Sequence, residues 1–327
     1  MIYLYFFSFV VSFVVLFRSA GFFIEGASGV AKILNIPKMV IGIVLVSLAT
    51  TAPEFSVSVM AAALGEPEIA LGNAVGSVIC DDGIALGLAA ILAPTVILVN
   101  CRILKIVGIF LLAIDFLAYL FARNGTFGRV EGVILVIILC LYFILIIKNK
   151  NFWFDREGQS NNSLSDNKKN LTPSEKSSLK RIIYRFILGL VGIVITSYVI
   201  VWGAKGIALH FSVSETIIGA TVIAIGTSLP EISICITAAL KGEGEIAVGN
   251  IIGADILNIL WIIGVSSIVN PMKVELDFIN FTFPYMILMV TVMLVCMRIN
   301  CRLGKIKGVI LFGFYILYLF LILKFFI

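Results

Sequence analysis

A block of residues occurs twice in this chain, and the duplication constrains the fold more than any other feature. Residues 50–81 read TTAPEFSVSVMAAALGEPEIALGNAVGSVICD, and residues 227–258 read TSLPEISICITAALKGEGEIAVGNIIGADILN. The two align without a gap at an offset of 177, with 15 of 32 positions identical. Each copy sets a carboxylate directly after a proline, Pro53–Glu54 and Pro230–Glu231, inside an otherwise apolar stretch. A carboxylate in the middle of a bilayer costs about 2.5 kcal/mol or more even on insertion scales. Two at matched positions therefore argue for a task rather than for packing.

The surroundings are those of a membrane protein. Hydrophobic residues make up 61% of the 327 and charged residues 13%, against roughly half and a quarter in a soluble domain. Apolar runs of about 20 residues, the length a bilayer requires of a helix, recur along nearly the whole chain. The expected fold class is an all-α membrane protein of about ten transmembrane helices. They lie near 4–31, 38–63, 68–93, 103–122, 127–147, 182–210, 214–240, 245–269, 277–297 and 305–326. The first run lacks a basic leading segment and reads as a span rather than a signal peptide.

One polar stretch, 149–181, is rich in Ser, Asn, Lys and Asp and reads as a solvated linker. It separates a first five-helix repeat, 1–148, from a second, 182–327. The matching extends outside the block: Gly26, Ala27, Gly29 and Ala31 correspond to Gly203, Ala204, Gly206 and Ala208. An odd number of spans per half makes the two repeats enter the membrane in opposite senses, an inverted topology. Loops after odd-numbered spans carry Lys32, Lys38, Arg102, Lys105, Lys241, Arg298, Arg302, Lys305, Lys307 and the basic linker. Loops after even-numbered spans carry little beyond Arg123, Arg129 and Lys273. The positive-inside rule then places the linker in the cytoplasm and both termini outside, in what reads as a prokaryotic plasma membrane.

Because the net charge of +5 is spread through these loops, it does not point to nucleic acid. No zinc spacing, phosphate loop or soluble catalytic domain is found, so neither an enzyme nor a cofactor is expected, and no protein partner can be inferred. The partners expected are inorganic cations and the lipid bilayer. The six cysteines, Cys80, Cys101, Cys140, Cys235, Cys296 and Cys301, show no CxxC pairing and read as small hydrophobes rather than a disulfide framework. Glu66, Glu68, Glu243 and Glu245 read as solvated turn charges.

The chemistry concentrates in four spans. Pro53 and Pro230 each remove a helical donor and free carbonyls one turn earlier, near Ala49–Thr50 and Gly226–Thr227. Such backbone survives in a membrane only where it is enclosed by protein or lines a wet cavity. In the third span Asn73, Ser77 and Asp81 recur every four residues and share a face; the eighth span answers with Asn250, Ala254 and Asn258. Gly72, Gly76, Gly249 and Gly253 permit close helix approach. A cavity where these spans cross would hold Glu54, Glu231 and Asp81, with Asn258, Thr50, Thr227, Ser228 and Ser77 completing a set of hard oxygens. Hard oxygens in such numbers suit Ca²⁺ or several Na⁺.

The paired P-E…G-E-x-E-I-A-x-G-N-x-x-G blocks resemble the α-repeats of the calcium/cation antiporter superfamily, above all the prokaryotic sodium/calcium exchangers. The resemblance implies a secondary active antiporter that exchanges Ca²⁺ for Na⁺ at a midplane carboxylate site, with Glu54 and Glu231 as central ligands. It implies hydroxyl or carbonyl oxygens from Thr50, Thr51, Thr227, Ser228 and Ser77, and a first and sixth helix that slide across the core. The usual G-S-N-I-F-N element departs to GSVICD at 76–81 and GADILN at 253–258, with Ala254 where Ser77 keeps a hydroxyl. The acid that such exchangers often carry in the second half stands here in the first, as Asp81, opposite Asn258. Asn73, Asn250, Asp82 and Asp255 are secondary candidates: the asparagines either cap broken backbone or touch the ion, and Asp82 and Asp255 are secondary ligands, proton sites or helix-packing hydrogen bonders. A Ca²⁺/H⁺ exchanger using the same carboxylates is the alternative. A cation channel, or an intramembrane aspartyl enzyme built on Asp81 or Asp82, ranks below both.

Overall fold

In lipid a chain this apolar must satisfy its backbone internally, and helices do so segment by segment. The computed structural model describes residues 2–33, 47–148, 173–211, 213–242, 244–273 and 275–326, and most of them are helical. The helices are α1 (Ile2–Ile33), α2 (Ala52–Ala63), α3 (Pro67–Leu92), α4 (Cys101–Ala122), α5 (Arg129–Lys148) and α6 (Pro173–Phe211). They continue with α7 (Glu215–Thr227), α8 (Leu229–Leu240), α9 (Gly244–Val269), α10 (Leu276–Arg298) and α11 (Lys305–Phe326). A short helical turn, Ser47–Thr50, precedes α2. Six of these helices are long and apolar enough to cross a membrane, and the bent pair α7–α8 makes a seventh.

Burial orders the bundle. The apolar stretches of α3 and α9 are each 78% buried, against 22% for α5 and 28% for α11. Helices α3 and α9 are therefore the centre, and α5 and α11 turn large apolar side chains such as Ile137 and Phe320 outward. The sequence offset of 177 is kept by the structure: α2 and α8, and α3 and α9, begin and end at matched residues. Even the irregularities match, since α3 widens into a π-helical turn at Asp81–Leu86 and α9 does so at Asn258–Ile263.

Glycine decides how closely the centre packs. A Cβ at Gly72 would stand 2.4 Å from the carbonyl oxygen of Thr216, and one at Gly76 would stand 2.5 Å from that of Ala220. Only glycine lets α3 press backbone to backbone against α7. Gly249, the counterpart of Gly72, has no neighbour within 4 Å among the described residues. The start of the span expected at 38–63 lies outside the described residues up to 46. Outside the centre, α1 and α6 run antiparallel: Gly192 meets Ser19, Gly203 meets Phe9 and Gly206 meets Tyr5. The Tyr5 and Trp202 rings sit 4.7 Å apart.

Two small antiparallel ribbons tie the halves together. Strand β1 (Ile97–Leu98) pairs with β4 (Arg302–Leu303), and β2 (Thr126–Phe127) pairs with β3 (Met272–Lys273). The first ribbon corrects the reading of the cysteines. It brings together two loops far apart in sequence, and Cys101 and Cys301 form a disulfide across a separation of 200 residues. No local spacing announces such a pair. Cys80, Cys140, Cys235 and Cys296 are free. Helix α6 begins at Pro173, so the last part of the polar 149–181 stretch is helical. Residues 149–172 lie outside the described residues.

A protease site engineered between residues 149 and 172 tests the bridge. After cleavage the two halves should migrate together on a non-reducing gel and separate once thiol reductant is added. Separation without reductant would contradict the Cys101–Cys301 pairing.

Candidate cation site

The proline-led helices set the geometry. Helix α2 starts after a break at Thr51 (φ −79, ψ 0), and α8 after a break at Ser228 (φ −77, ψ 5). Pro53 and Pro230 occupy the first turns, where their missing N–H groups cost nothing to the new helix but leave the preceding turn without donors. The α7–α8 axis bends by 44° there. Glu54 and Glu231 fall in the first turns of α2 and α8, at the kinks.

Each break is stitched to the opposite half. The Thr227 hydroxyl donates to Asn73 Oδ1 at 3.1 Å, and the Thr50 hydroxyl reaches Asn250 Oδ1 at 3.5 Å. These are the same bond related by the repeat, with each half's threonine on the other half's asparagine. Asn73 also donates to the Glu54 carbonyl at 3.3 Å and to the Ser58 hydroxyl at 2.9 Å, which fixes the start of α2 against α3. Asn250 Nδ2 makes no hydrogen bond. The first-half stitch is thus the better satisfied of the two.

Oxygens gather around the crossing. Glu54, Glu231, Asp81, Asn258, Thr50, Thr51, Thr227, Ser228 and Ser77 are all at most 1% exposed. The carboxyls of Glu54, Glu231 and Asp81 are near enough to repel one another, the Ser228 hydroxyl stands beside Glu54 and Asp81, and Thr50 stands beside Glu231. Both oxygens of each of the three carboxyls, the Asn258 amide and the hydroxyls of Ser77 and Ser228 have no hydrogen-bond partner. Buried polar groups in native proteins are nearly always paired, so this concentration of unpaired oxygens is itself a signal. The Thr51 hydroxyl donates to the Ser47 carbonyl, and the Thr227 hydroxyl spends its one proton on Asn73, which leaves the lone pairs of both open. Phe55 stacks on Trp261 at 4.0 Å, joining α2 to the π-helical turn of α9. No three Asp, Glu, His or Cys side chains among the described residues are gathered tightly enough to hold a metal by themselves. Any cation at the crossing therefore draws on amide, hydroxyl and backbone oxygens as well.

The other acids go elsewhere. Asp82, one residue past Asp81, turns away to face Asp255, and Asp115 of α4 lies close to both. All three are fully buried with no hydrogen-bond partner. Asp115 escaped the sequence reading, although a lone acid in the run IFLLAIDFLAYLF is a visible signal. Glu66 is not a free turn charge: it is ion-paired with Lys205 of α6. Glu243 lies outside the described residues.

With this geometry established, comparison with known proteins is direct. The family model described as "Sodium/calcium exchanger protein" matches residues 4–148 and 182–324. The chain belongs to that family. It is 34% identical over 299 residues to the putative antiporter CaxA of Alkalimonas amylolytica, covering 91% of this chain and 90% of that one. It is 29% identical over 341 residues to the sodium/calcium exchanger MaX1 of Methanosarcina acetivorans, covering 94% and 95%. Among solved structures, the sodium-calcium exchanger NCX_Mj superposes with a TM-score of 0.65 at 27% identity, over 98% of both chains. This exchanger-family protein is accordingly an integral membrane protein, and the gap in the family match, 149–181, coincides with the polar linker stretch.

The two stitches predict unequal effects in thermal melts of the purified protein. Asn73→Ala removes three hydrogen bonds and should cost more than Asn250→Ala, by about 1 kcal/mol for each additional bond lost. Equal melting losses for the two variants would refute the asymmetry.

Proposed function

We propose that this protein is a secondary active antiporter that exchanges Ca²⁺ for Na⁺ by alternating access at a site in the bilayer midplane. The site lies between two five-helix repeats of inverted topology, ten transmembrane helices in all. One observation carries the reading: matched residues of the two halves supply a mirrored set of buried oxygens without partners, three of them carboxyls, at crossed and broken helices. Membership of the sodium/calcium exchanger family supports it.

Ca²⁺ takes six to eight oxygens, and Na⁺ is satisfied by fewer. In this reading Glu54 and Glu231 are the central ligands and Asp81 and Asn258 complete the inner ring. Thr50, Thr51, Thr227, Ser228 and Ser77 lend hydroxyl or carbonyl oxygens to flanking Na⁺ positions. Asn73 and Asn250 hold the crossing and stand at its edge. Competition for shared oxygens couples the ions, because the uncompensated carboxylates repel one another and resist a change of access when no cation is bound. The antiparallel pair α1–α6 is the sliding element: it packs largely on itself, and Phe13 of α1 reaches the second-half break, against Gly226. If more charge enters with Na⁺ than leaves with Ca²⁺, the membrane potential contributes about 2.3 kcal/mol per charge per 100 mV.

A Ca²⁺/H⁺ exchanger is the second reading, and the facing carboxyls of Asp82 and Asp255 favour it. Proteoliposomes separate the two. Ca²⁺ uptake should follow an imposed Na⁺ gradient and ignore a pH gradient; the reverse result selects H⁺. Glu54→Gln and Glu231→Gln should each strongly lower Na⁺-driven uptake, because a central ligand has lost its charge. Full counter-transport by both variants would remove these residues from the site.

The proposed orientation puts the linker and the Cys101–Cys301 bridge on the cytoplasmic face. Disulfides persist there chiefly in hyperthermophiles. After reduction in sealed right-side-out vesicles, a membrane-impermeant thiol reagent should leave both cysteines unlabelled. Labelling of either one would invert the orientation.

A further inference from the structure

A second feature is built on the β1–β4 ribbon, from residues other than those of the crossing. Segments 94–107 and 298–308 contain six Lys or Arg residues and no Asp or Glu. The β1–β4 ribbon joins them beside a cavity of about 720 Å³ lined by Val96, Asn300, Arg302, Lys305, Ile306 and Lys307 among others.

Two of the cations there are committed to the fold. Lys307 Nζ donates to the carbonyls of Ile299 and Arg302, at 2.6 Å each, bracing the left-handed corner at Asn300 (φ 60) and Cys301 (φ 50). Arg298 donates to the Cys101 carbonyl. Arg302 and Lys305 are exposed and have no ion-pair partner among the described residues. Helix α11 begins at Lys305 itself, a helix of 22 residues whose first N–H groups have no intrahelical acceptor. Free N–H groups and the positive end of the helix dipole favour an anion at that point.

The cavity also has an apolar side. Val96 is 50% exposed and Ile306 80%, and Val309 and Ile310 continue the exposed apolar surface down α11. A free inorganic anion has no use for that wall. An amphiphile with a phosphate at one end and acyl chains at the other uses both parts. Basic pockets at the ends of membrane helices suit such headgroups.

We propose that this pocket binds the phosphate headgroup of an anionic phospholipid. Arg302, Lys305 and the start of α11 hold the phosphate, and the acyl chains lie along Ile306, Val309 and Ile310. The inference does not rest on the reading of the cation site, and its test involves no ion flux.

The full-length protein is placed in nanodiscs of mixed phosphatidylcholine and phosphatidylglycerol, released into detergent, and analysed for retained lipid by native mass spectrometry. The wild type should retain phosphatidylglycerol in preference to phosphatidylcholine. The double variant Arg302→Gln, Lys305→Gln should lose that preference by roughly tenfold or more, as expected when two charges near a phosphate are removed. Lys273→Gln, on the other ribbon, should leave it unchanged. Equal retention by wild type and double variant overturns the proposal, and displacement of the lipid by millimolar inorganic phosphate reassigns the pocket to free anions. Should the double variant fail to fold, Val96→Trp in the otherwise intact protein provides the readout. Brominated phosphatidylglycerol should quench its fluorescence more than brominated phosphatidylcholine, and equal quenching again refutes the site.

Discussion

A carboxylate within a bilayer has to be answered by positive charge or by protons, and the centre of this protein is organised around several of them. Glu54 and Glu231 sit in the first turns of helices that start at proline-induced breaks, where neighbouring backbone is already short of donors. Those breaks need enclosure, and α3 and α9 provide it by lying in the most buried part of the bundle. Gly72 and Gly76 let α3 approach α7 backbone to backbone, and the reciprocal Thr–Asn bonds lock each break to the opposite half. The remaining helices supply walls and a lipid-facing surface.

The repeat is closely kept in backbone and loosely kept in side chains. Breaks, π-helical turns and helix ends recur at matched residues, yet Asp81 faces Asn258 in the pairing, Ser77 faces Ala254, and Phe55 stacks on Trp261 where its counterpart Ile232 has no ring to offer. A symmetric frame thus encloses an asymmetric field. Which half carries the acid sets where the charge lies at the crossing, while the shape of the crossing stays the same.

Much of this frame can be read from the sequence. The apolar runs mark the helices, and the duplicated block names the residues that the structure buries at the crossing. What stays hidden has identifiable causes. The π-helical turns at Asp81 and Asn258 leave no mark in hydropathy, since one extra residue per turn does not alter a uniformly apolar run. The Cys101–Cys301 bridge depends on a ribbon between distant loops, which no local spacing reveals. The partnership of Asp82 with Asp255 and Asp115 needs three helices placed at once, even though Asp115 alone stands out in its run. The helical start at Pro173 was masked by polar composition, which describes solvation better than it describes backbone.

The two ribbons have a consequence for biogenesis. Each strand of the first half finds its only β partner, among the described residues, in the second half, and each threonine at a break does the same with its asparagine. A nascent first half emerging from the insertion machinery has its spans but not its closure. It must wait, with unpaired strand edges and an open acidic centre, until the later helices arrive. The halves are interlocked partners in one folding event rather than modules joined by a tether.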